Sequence, residues 1–423
     1  MAQSTRPAGF YRQNDGQHDA LVCDEVPLAA IAAAAGTPLY VYSAAMLRER
    51  YQAIDGAFAG YPHALHYALK ANSTLAIVRL LRDLGSSVDA NSVWEIEVAR
   101  TAGFDPSQIV FTGVGKTPDE LEAAVALGVK AINVESAGEL ARLEAIGTRL
   151  GRAVRVAIRM NPDIDAKSHP HISTGLKINK FGVPLDEARA LLQTMKTRPS
   201  LTLVAMHVHV GSQITSLDPL RRAAALAAGV SLELLQQGVP LEYVDLGGGL
   251  GVSYDGGEVP SAADYVGALV EAVRHTSLPI VLEPGRAIAA PAGALVARVI
   301  DVKARTAESE FVIIDAGMTE LMRPALYGAF HRIEPVSAPA AGDHHYEIVG
   351  PVCESSDVVG RDRMLPLLKA GDVVAIRDAG AYGSAMASNY NRRPLPAEVL
   401  VDASAWRVIR RRQTIEDQLS LET

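Results

Sequence analysis

Eight short apolar runs recur along the first two thirds of the chain, and each is followed by a loop and a segment with helical periodicity. The runs are ALHYAL, SSVDA, IVF, AINV, VRVAIRM, LVAMHVH, YVDL and PIVL, which lead to Lys70, Asp89, Thr112, Glu135, Asn161, His209, Gly247 and Glu283. They are rich in apolar and β-branched residues without strict alternation, which is typical of strands buried on both faces of a parallel sheet. The pattern predicts a (β/α)8 barrel of the TIM type, with its chemistry at the carboxyl ends of the strands.

The hydrophobic pattern of the chain changes after Ala289. Apolar and polar residues alternate there in ALVARVIDVKA, EFVIIDAG, YEIVG and DVVAIRDAG. Such alternation predicts antiparallel strands with one face in water. We therefore expect three parts: an N-terminal segment at 1–42 that joins the β domain, a barrel at 43–289, and a C-terminal β-rich domain at 290–423. A chain of 423 residues is long enough for two domains.

Composition narrows the class of protein and its partners. The net charge of -8 argues against a nucleic-acid partner and against an anionic membrane surface. No apolar stretch approaches the roughly 20 residues needed to cross a bilayer. The first residues lack the basic and then apolar layout of a secretion signal, so we expect a cytoplasmic protein. Cys23 and Cys353 are the two cysteines, which excludes a disulfide framework and a CxxC metal site.

Lys70 lies in HYALKANS at the predicted mouth of the barrel. Apolar surroundings and nearby cations there would favour its neutral, nucleophilic form and a Schiff base with a carbonyl compound. An isolated lysine at the end of a strand is more often an ordinary surface residue. The motifs after runs seven and eight favour the chemical interpretation, because barrels usually bind phosphate at that position.

The seventh run ends in a glycine loop, Gly247, Gly248 and Gly249, and the eighth run ends in Glu-Pro-Gly-Arg. Glycines let backbone N–H groups approach an anion closely, although tight loops use the same residues for other reasons. The loop lacks the GxGxxG spacing of a dinucleotide-binding fold. Gly285 shapes a turn, and Arg286 can form paired hydrogen bonds with phosphate or carboxylate oxygens.

Glu283 precedes this turn at the end of the eighth run. A carboxylate at that position can hydrogen-bond a pyridine nitrogen and keep it protonated, which strengthens pyridoxal phosphate as an electron sink. Barrel enzymes that only racemise tend to place a cation there, so Glu283 favours decarboxylation. The alternative is a structural glutamate that caps the turn.

His207 and His209 are two residues apart on the sixth run and therefore share one face of a strand. An HxH pair can bind a metal, but no matching Asp, Glu or Cys pattern lies nearby in the sequence, so we expect no metal. His209 could lie against a flat cofactor ring while Ser212 donates to its phosphate, and His207 is more typical of a packed residue. His169 and His171 follow the fifth run and indicate a loop or a lid.

The chain resembles the fold-type III pyridoxal-phosphate decarboxylases, and within them the branch that acts on diaminopimelate. The resemblance runs from GTPLYVY at Gly36 to PAEVL, nearly the whole length. The motifs that carry it are YALKAN, NVES, RMNPDIDAKSHPHISTGLKINKFG, HVGSQI, DLGGGLG, EPGR, DAGMTELMRPALY, GPVCESSD and DAGAYGSAMASNYN. It implies an alanine racemase-like barrel with a β domain, pyridoxal 5'-phosphate as cofactor, and conversion of meso-2,6-diaminopimelate to L-lysine.

The resemblance also implies a role for each motif residue of the barrel. Lys70 is expected to form the Schiff base, His209 to stack on the cofactor ring and Glu283 to bind the pyridinium. Tyr382 is a further phosphate or substrate contact. The implied phosphate ligands are Ser212, Gly247, Gly248, Gly249, Gly285 and Arg286.

In the second domain the resemblance implies that Cys353 protonates Cα after CO2 leaves. Cys353 and Glu354 are expected to reach the active site of the neighbouring subunit, which makes the enzyme a homodimer. Arg323 and Tyr327 would hold the distal carboxylate of the substrate, with Arg286 within reach of it, and Glu354 would bind the distal ammonium. A thiol near cations is a competent proton donor, whereas Cys353 taken alone is more typical of a buried small apolar residue.

One departure from the branch lies after the second run, where Val93 and Trp94 stand at positions that usually carry glycine. This segment is closer to the ornithine decarboxylase side of the superfamily. A decarboxylase acting on ornithine, arginine or a carrier-bound amino acid therefore remains an alternative. Arg323 argues against the basic amino acids, since a guanidinium selects a carboxylate. A non-catalytic pyridoxal-phosphate-binding protein is a further alternative from a different class.

Overall fold

The structure is a computed structural model that describes residues 7–14, 19–165, 174–176, 178–195, 197–306, 308–337 and 342–423. His169 and His171 lie outside the described residues. Two compact units divide the chain. The barrel unit comprises Arg50–Val252 and Glu258–Ala287, and the β unit comprises Met1–Glu49, Ser253–Gly257 and Ile288–Thr423.

The secondary structure alternates between strands and helices up to Ala289 and then consists mainly of strands. In chain order the strands are β1 Phe10–Asn14, β2 Asp19–Cys23, β3 Val26–Pro27, β4 Leu39–Ser43, β5 His63–Ala68, β6 Ser87–Ala90, β7 Ile109–Phe111, β8 Ala131–Val134, β9 Val154–Asn161, β10 Val183–Pro184, β11 Leu201–Val208, β12 Tyr243–Asp245, β13 Ile280–Leu282, β14 Gly293–Ala304, β15 Glu310–Ile314, β16 Ile333–Pro335, β17 Asp343–Val349, β18 Val358–Pro366, β19 Val373–Ile376, β20 Ala397–Asp402 and β21 Ala405–Arg410. The helices are α1 Leu28–Ala35, α2 Ala44–Ala57, α3 Leu75–Asp83, α4 Val93–Ala102, α5 Pro118–Leu127, α6 Ala137–Leu150, α7 Leu185–Met195, α8 Leu217–Gln236, α9 Ala262–Val273, α10 Arg286–Ala289, α11 Arg323–Tyr327 and α12 Ile415–Leu419.

The barrel unit is a closed parallel barrel with the strand order β5-β6-β7-β8-β9-β11-β12-β13. Closure comes from the parallel pairing of β13 with β5, and the short β10 adds to β9. These eight strands are the eight apolar runs of the sequence, so the predicted barrel is confirmed. Small residues fill part of its interior, where Ala131, Ala157 and Ala205 form a buried cluster with Tyr243.

The helices around the barrel begin and end at residues with the expected capping chemistry. Ser92 and Ser136 accept hydrogen bonds from backbone N–H groups in the first turns of α4 and α6. Thr117 and Glu120 form a capping box at the start of α5. Gly128, which follows α5, has a left-handed φ of 78° that favours glycine. These caps satisfy backbone N–H groups at the starts of α4, α5 and α6 and end α5 at a defined residue.

The β unit contains one large sheet with the order β18-β17-β15-β14-β4-β20-β21, to which β19 and β16 add beside β14. Strand β4 comes from the N-terminal segment and lies between β14 and β20, so that segment completes the β domain as predicted. The sheet is mixed rather than wholly antiparallel, because β4 with β20 and β15 with β17 pair in parallel. Alternating hydrophobicity reports one buried face and does not specify the direction of the neighbouring strand.

Among the described residues, none of the helices combines the length and apolar character needed to cross a bilayer.

Candidate active site

Lys70 lies in a 3-10 turn, Leu69–Ala71, that directly follows β5. Its Nζ donates to Asp89 Oδ2 at 3.1 Å and to Asn91 Oδ1 at 3.3 Å. The parallel register of β5 and β6 places Ala68 beside Asp89. Lys70, two residues after Ala68, therefore lies close to the Asp89 side chain. We expected cations near Lys70, but these two hydrogen-bond partners are a fully buried carboxylate and an amide. The pattern of a polar residue at the end of the second run could have indicated this contact.

Glu283 follows β13 and is buried inside the barrel. Asn133 Nδ2 donates to its Oε1 at 3.4 Å, and His207 Nε2 lies 3.5 Å from its Oε2. Burial opposes ionisation, but the His207 imidazole, Lys70 and Arg159 outweigh burial and lower the pKa of Glu283 to about 2. The carboxylate is therefore held in its ionised form within a low-dielectric interior.

Asp245 is the last residue of β12 and lies close to Glu283. Ligand atoms of His207, Asp245 and Glu283 all lie within 4.8 Å of one another. Burial raises the pKa of Asp245 well above its ordinary value, and the nearby charge of Glu283 raises it further. Burial and the mutual repulsion of the two carboxylates therefore oppose a second negative charge on this pair. No matching carboxylate lies near the histidine pair along the chain, whereas the fold brings two of them, Asp245 and Glu283, to His207.

His209 follows β11, and its Nδ1 accepts a hydrogen bond from the Gly248 N–H at 3.0 Å. A ring nitrogen that accepts carries no proton, so the proton of the neutral imidazole is on Nε2. Burial lowers the pKa of His209 well below its ordinary value, and the positive charges of Lys70 and Arg159 lower it further. The site therefore contains a flat, neutral ring at the end of the sixth barrel strand.

The glycine loop follows β12 and packs against the ends of the neighbouring strands. A Cβ on Gly247 would lie 2.5 Å from His209 Nδ1, and one on Gly248 would overlap the carbonyl of Glu283. The Gly247 N–H donates to Asp245 Oδ1 at 2.9 Å. Two N–H groups of the loop are therefore bonded within the protein, and the packing itself requires glycine. Gly249 has a φ of 123°, a backbone conformation that side chains disfavour.

Arg286 is the first residue of α10 and Ser212 lies in the loop after β11, and the fold brings the two side chains together. Arg286 is buried, and its Nε donates to Ser212 Oγ at 3.1 Å. A Cβ on Gly285 would lie 2.9 Å from the Cβ of Ala71, the residue after Lys70. The turn after the eighth strand thus packs directly on the turn that bears the lysine.

The β unit contains the predicted substrate residues Arg323 and Tyr327, at the two ends of α11. Arg323 is buried, and its Nη1 lies 2.7 Å from Nε2 of His331. Its guanidinium lies over the ring of Tyr254, 4.6 Å from the centroid. Sequence reasoning missed Tyr254 and His331, because neither belongs to a motif and Tyr254 lies far from Arg323 along the chain.

Cys353 and Glu354 follow β17 in the β unit, and both are exposed in the single chain. Glu354 Oε1 accepts a hydrogen bond from the hydroxyl of Tyr390 at 2.8 Å. The alternative of a buried apolar role for Cys353 is wrong, since the buried cysteine is Cys23. Tyr382 is partly buried and has a φ of 57°, which is unusual for a residue other than glycine.

Residues 44–290 match the family model described as pyridoxal-dependent decarboxylase, pyridoxal binding domain. Diaminopimelate decarboxylase of Vibrio cholerae is 44% identical over 98% of this chain and 98% of the relative. The chain belongs to the diaminopimelate decarboxylase branch of this family. The predicted enzyme class, a pyridoxal-phosphate-dependent carboxy-lyase, and its cofactor are thereby confirmed.

Solved structures agree with this family. Diaminopimelate decarboxylase from Helicobacter pylori complexed with L-lysine superposes with a TM-score of 0.90 at 42% identity, covering 93% of this chain and 99% of that one. Lysine/ornithine decarboxylase from Vibrio vulnificus complexed with putrescine superposes with a TM-score of 0.76 at 26% identity, covering 89% of this chain and 96% of that one. The (β/α)8 barrel with a β domain is common to both branches.

Proposed function

We propose that the protein decarboxylates meso-2,6-diaminopimelate to L-lysine with pyridoxal phosphate as cofactor. The observation that carries the proposal is the barrel rim, where Lys70, the ionised Glu283 and the Arg286–Ser212 pair occupy the ends of the strands. The relatives that are 41–44% identical over more than nine tenths of the chain are diaminopimelate decarboxylases, which supports the choice of substrate.

The residues of the rim fit the cofactor in charge and shape. Arg286 and Ser212 offer a guanidinium and a hydroxyl to a phosphate. The glycines of the two motifs shape the rim through close packing, since a Cβ at Gly247, Gly248, Gly249 or Gly285 would meet neighbouring protein atoms. The amine that would join the aldehyde belongs to Lys70.

Two side chains in the barrel would act on the ring. Bound pyridoxal phosphate delocalises the electron pair that remains at Cα when the carboxylate leaves. Glu283, whose pKa is lowered by His207, Lys70 and Arg159, would hold a proton on the pyridine nitrogen of the bound cofactor and so strengthen that effect. The neutral ring of His209 offers a flat face for stacking without adding positive charge.

The distal end of the substrate would be recognised by residues of both kinds of charge. Arg323 and Tyr327 bind the distal carboxylate, and Arg286 and Tyr382 lie within reach of the substrate in this proposal. Glu354 binds the distal ammonium. A buried guanidinium pairs strongly with a carboxylate, and ornithine and arginine lack a distal carboxylate. This difference favours diaminopimelate over those amino acids.

We further propose that the enzyme is a homodimer with shared active sites and that residues 290–423 contribute to the site of the partner subunit. Cys353 would return a proton to Cα of the product. Its support is the exposure of Cys353 and Glu354 in the single chain, where they are accessible to a second copy. Two free cysteines, one of them exposed, suit the reducing cytoplasm, where we expect the enzyme to act.

Release of CO2 from meso-diaminopimelate, ornithine and arginine, measured with purified protein and pyridoxal phosphate, tests this proposal. We expect rapid release from diaminopimelate and at least about a hundredfold less from the other two, because neither offers the distal carboxylate that Arg323 would bind. Faster release from ornithine or arginine would contradict the substrate assignment. Coenzyme binding without release from any substrate would favour a non-catalytic protein.

A further inference from the structure

A cluster in the β unit consists of three side chains, those of Arg323, Tyr254 and His331. Tyr254 presents its ring to the guanidinium at 4.6 Å, and His331 lies 2.7 Å from Nη1. The rings of Tyr254 and His331 meet edge to face, with centroids 5.1 Å apart. Arg323 and His331 are both buried. The guanidinium is thus flanked by the aromatic face of Tyr254 and by one nitrogen of the His331 imidazole.

The hydrogen bonds of His331 determine its protonation state. Its Nδ1 lies 2.8 Å from the backbone carbonyl of Arg377, which can only accept, so Nδ1 carries a proton and donates. Its Nε2 faces the Nη1 of Arg323, which can only donate, so Nε2 accepts. Both requirements are met by one form, the neutral imidazole with its proton on Nδ1. The hydrogen bond from Nδ1 to the Arg377 carbonyl therefore leaves a lone pair on Nε2, which accepts the hydrogen bond from Arg323.

We propose that His331 is a positioning residue that orients Arg323 for recognition of the distal carboxylate, with Tyr254 as the supporting face. A guanidinium recognises a carboxylate through two parallel N–H groups, so its plane must be fixed for both bonds to form. Arg323 has a long side chain with several rotatable bonds, and the cluster holds it in one orientation before the substrate binds. The inference rests on the proposed function, in which Arg323 binds the substrate.

Two substitutions separate the orientation of Arg323 from the packing of the cluster. His331→Gln places a carbonyl oxygen near the position of Nε2 and keeps an acceptor for Arg323. His331→Asn keeps a donor for the Arg377 carbonyl but is too short to reach Arg323. His345→Asn, at an exposed histidine of the same unit, is the matched control. Melting temperatures of all four proteins check that each is folded.

The assay compares inhibition by L-lysine with inhibition by cadaverine, since the two differ only by the carboxylate that Arg323 would bind. We expect the wild type and His345→Asn to bind L-lysine more tightly than cadaverine. In His331→Asn the ratio of the two inhibition constants should fall about tenfold, which corresponds to the loss of one hydrogen bond to a charged group. His331→Gln should retain the preference within about threefold. KM for diaminopimelate should follow the same order, with kcat changed by about twofold or less.

Two results with the variants would contradict the orientation of Arg323 by His331. A preference for L-lysine that survives in His331→Asn, or that falls equally in Asn and Gln variants, would show that the acceptor at His331 does not orient Arg323. A wild-type enzyme that decarboxylates diaminopimelate but binds L-lysine and cadaverine equally would overturn the substrate role of Arg323, and the inference with it. Absence of decarboxylation by the wild type would overturn the proposed function itself.

Discussion

Glu95, in the first turn of α4, allows a quantitative test of the electrostatics at the barrel mouth. Its Oε2 accepts a hydrogen bond from the backbone N–H of Asn91 at 2.6 Å. Burial raises the pKa of Glu95 to about 7, and the nearby charge of Asp89 contributes, whereas the Asn91 hydrogen bond and Lys70 oppose the rise. The environment of Glu95 therefore disfavours its ionised form at neutral pH.

The substitution Glu95→Gln removes the free-energy cost of ionising a buried carboxyl group in the folded protein. Because the folded state favours protonated Glu95, wild-type stability is fully present below pH 4.5 and declines as the pH rises to about 7. The shift corresponds to about 3 kcal/mol, and we expect about 2 kcal/mol because the side chain keeps some contact with solvent. Glutamine cannot ionise and still offers an oxygen to the Asn91 N–H. The variant should therefore gain stability over the wild type as the pH rises.

Thermal unfolding of the coenzyme-saturated proteins at pH 5 and pH 8 measures the effect. We expect the difference in melting temperature between Glu95→Gln and wild type to grow by about 2 °C between these pH values, given the size of the chain. Glu97→Gln on the same helix is the control, since Glu97 is exposed and pairs with Arg100 at the surface. A difference that stays constant with pH, or that grows equally in the control, would refute the reasoning.

Three further substitutions test the site. Cys353→Ala should keep the coenzyme absorbance and lower kcat about hundredfold in a CO2-release assay, since it removes the proposed proton donor; wild-type kcat would exclude that role. His207→Phe should raise the pKa of Glu283 and weaken coenzyme binding about tenfold by equilibrium dialysis; unchanged affinity would contradict the pairing. Gly248→Ala places a Cβ on the Glu283 carbonyl and should lower coenzyme affinity and melting temperature, unlike Gly267→Ala, which meets open space; equal effects would show that the contact is unimportant.

The barrel could be predicted from the sequence because its strands are short, apolar and rich in β-branched residues. Runs such as IVF and AINV correspond to β7 and β8 to the residue. Serines, threonines and glycines at the helix ends made the connecting helices equally recognisable. The parallel pairing of β4 with β20 could not be predicted, because the two strands come from opposite ends of the chain. The alternation of apolar and polar residues also carries no information about the direction of the neighbouring strand.

The candidate site could be predicted only as far as motifs extend. Lys70 and Arg286 each stand within a specific motif at the end of a predicted strand. The partners that set their environment depend on the register between strands, as Asp89 beside Lys70 shows. The contact of Tyr254 with Arg323 depends on a loop that packs with a distant part of the chain. Such contacts have no local sequence signal.

The central claim is that Lys70 carries the coenzyme on the rim of the barrel. Borohydride reduction of the coenzyme-loaded enzyme, followed by proteolysis and mass spectrometry, tests this claim most directly, because reduction makes a carbon–nitrogen double bond permanent. We predict a phosphopyridoxyl group on the peptide that contains YALKAN, attached to Lys70. A label on another lysine, or a loaded enzyme that carries no label after reduction, would contradict the account.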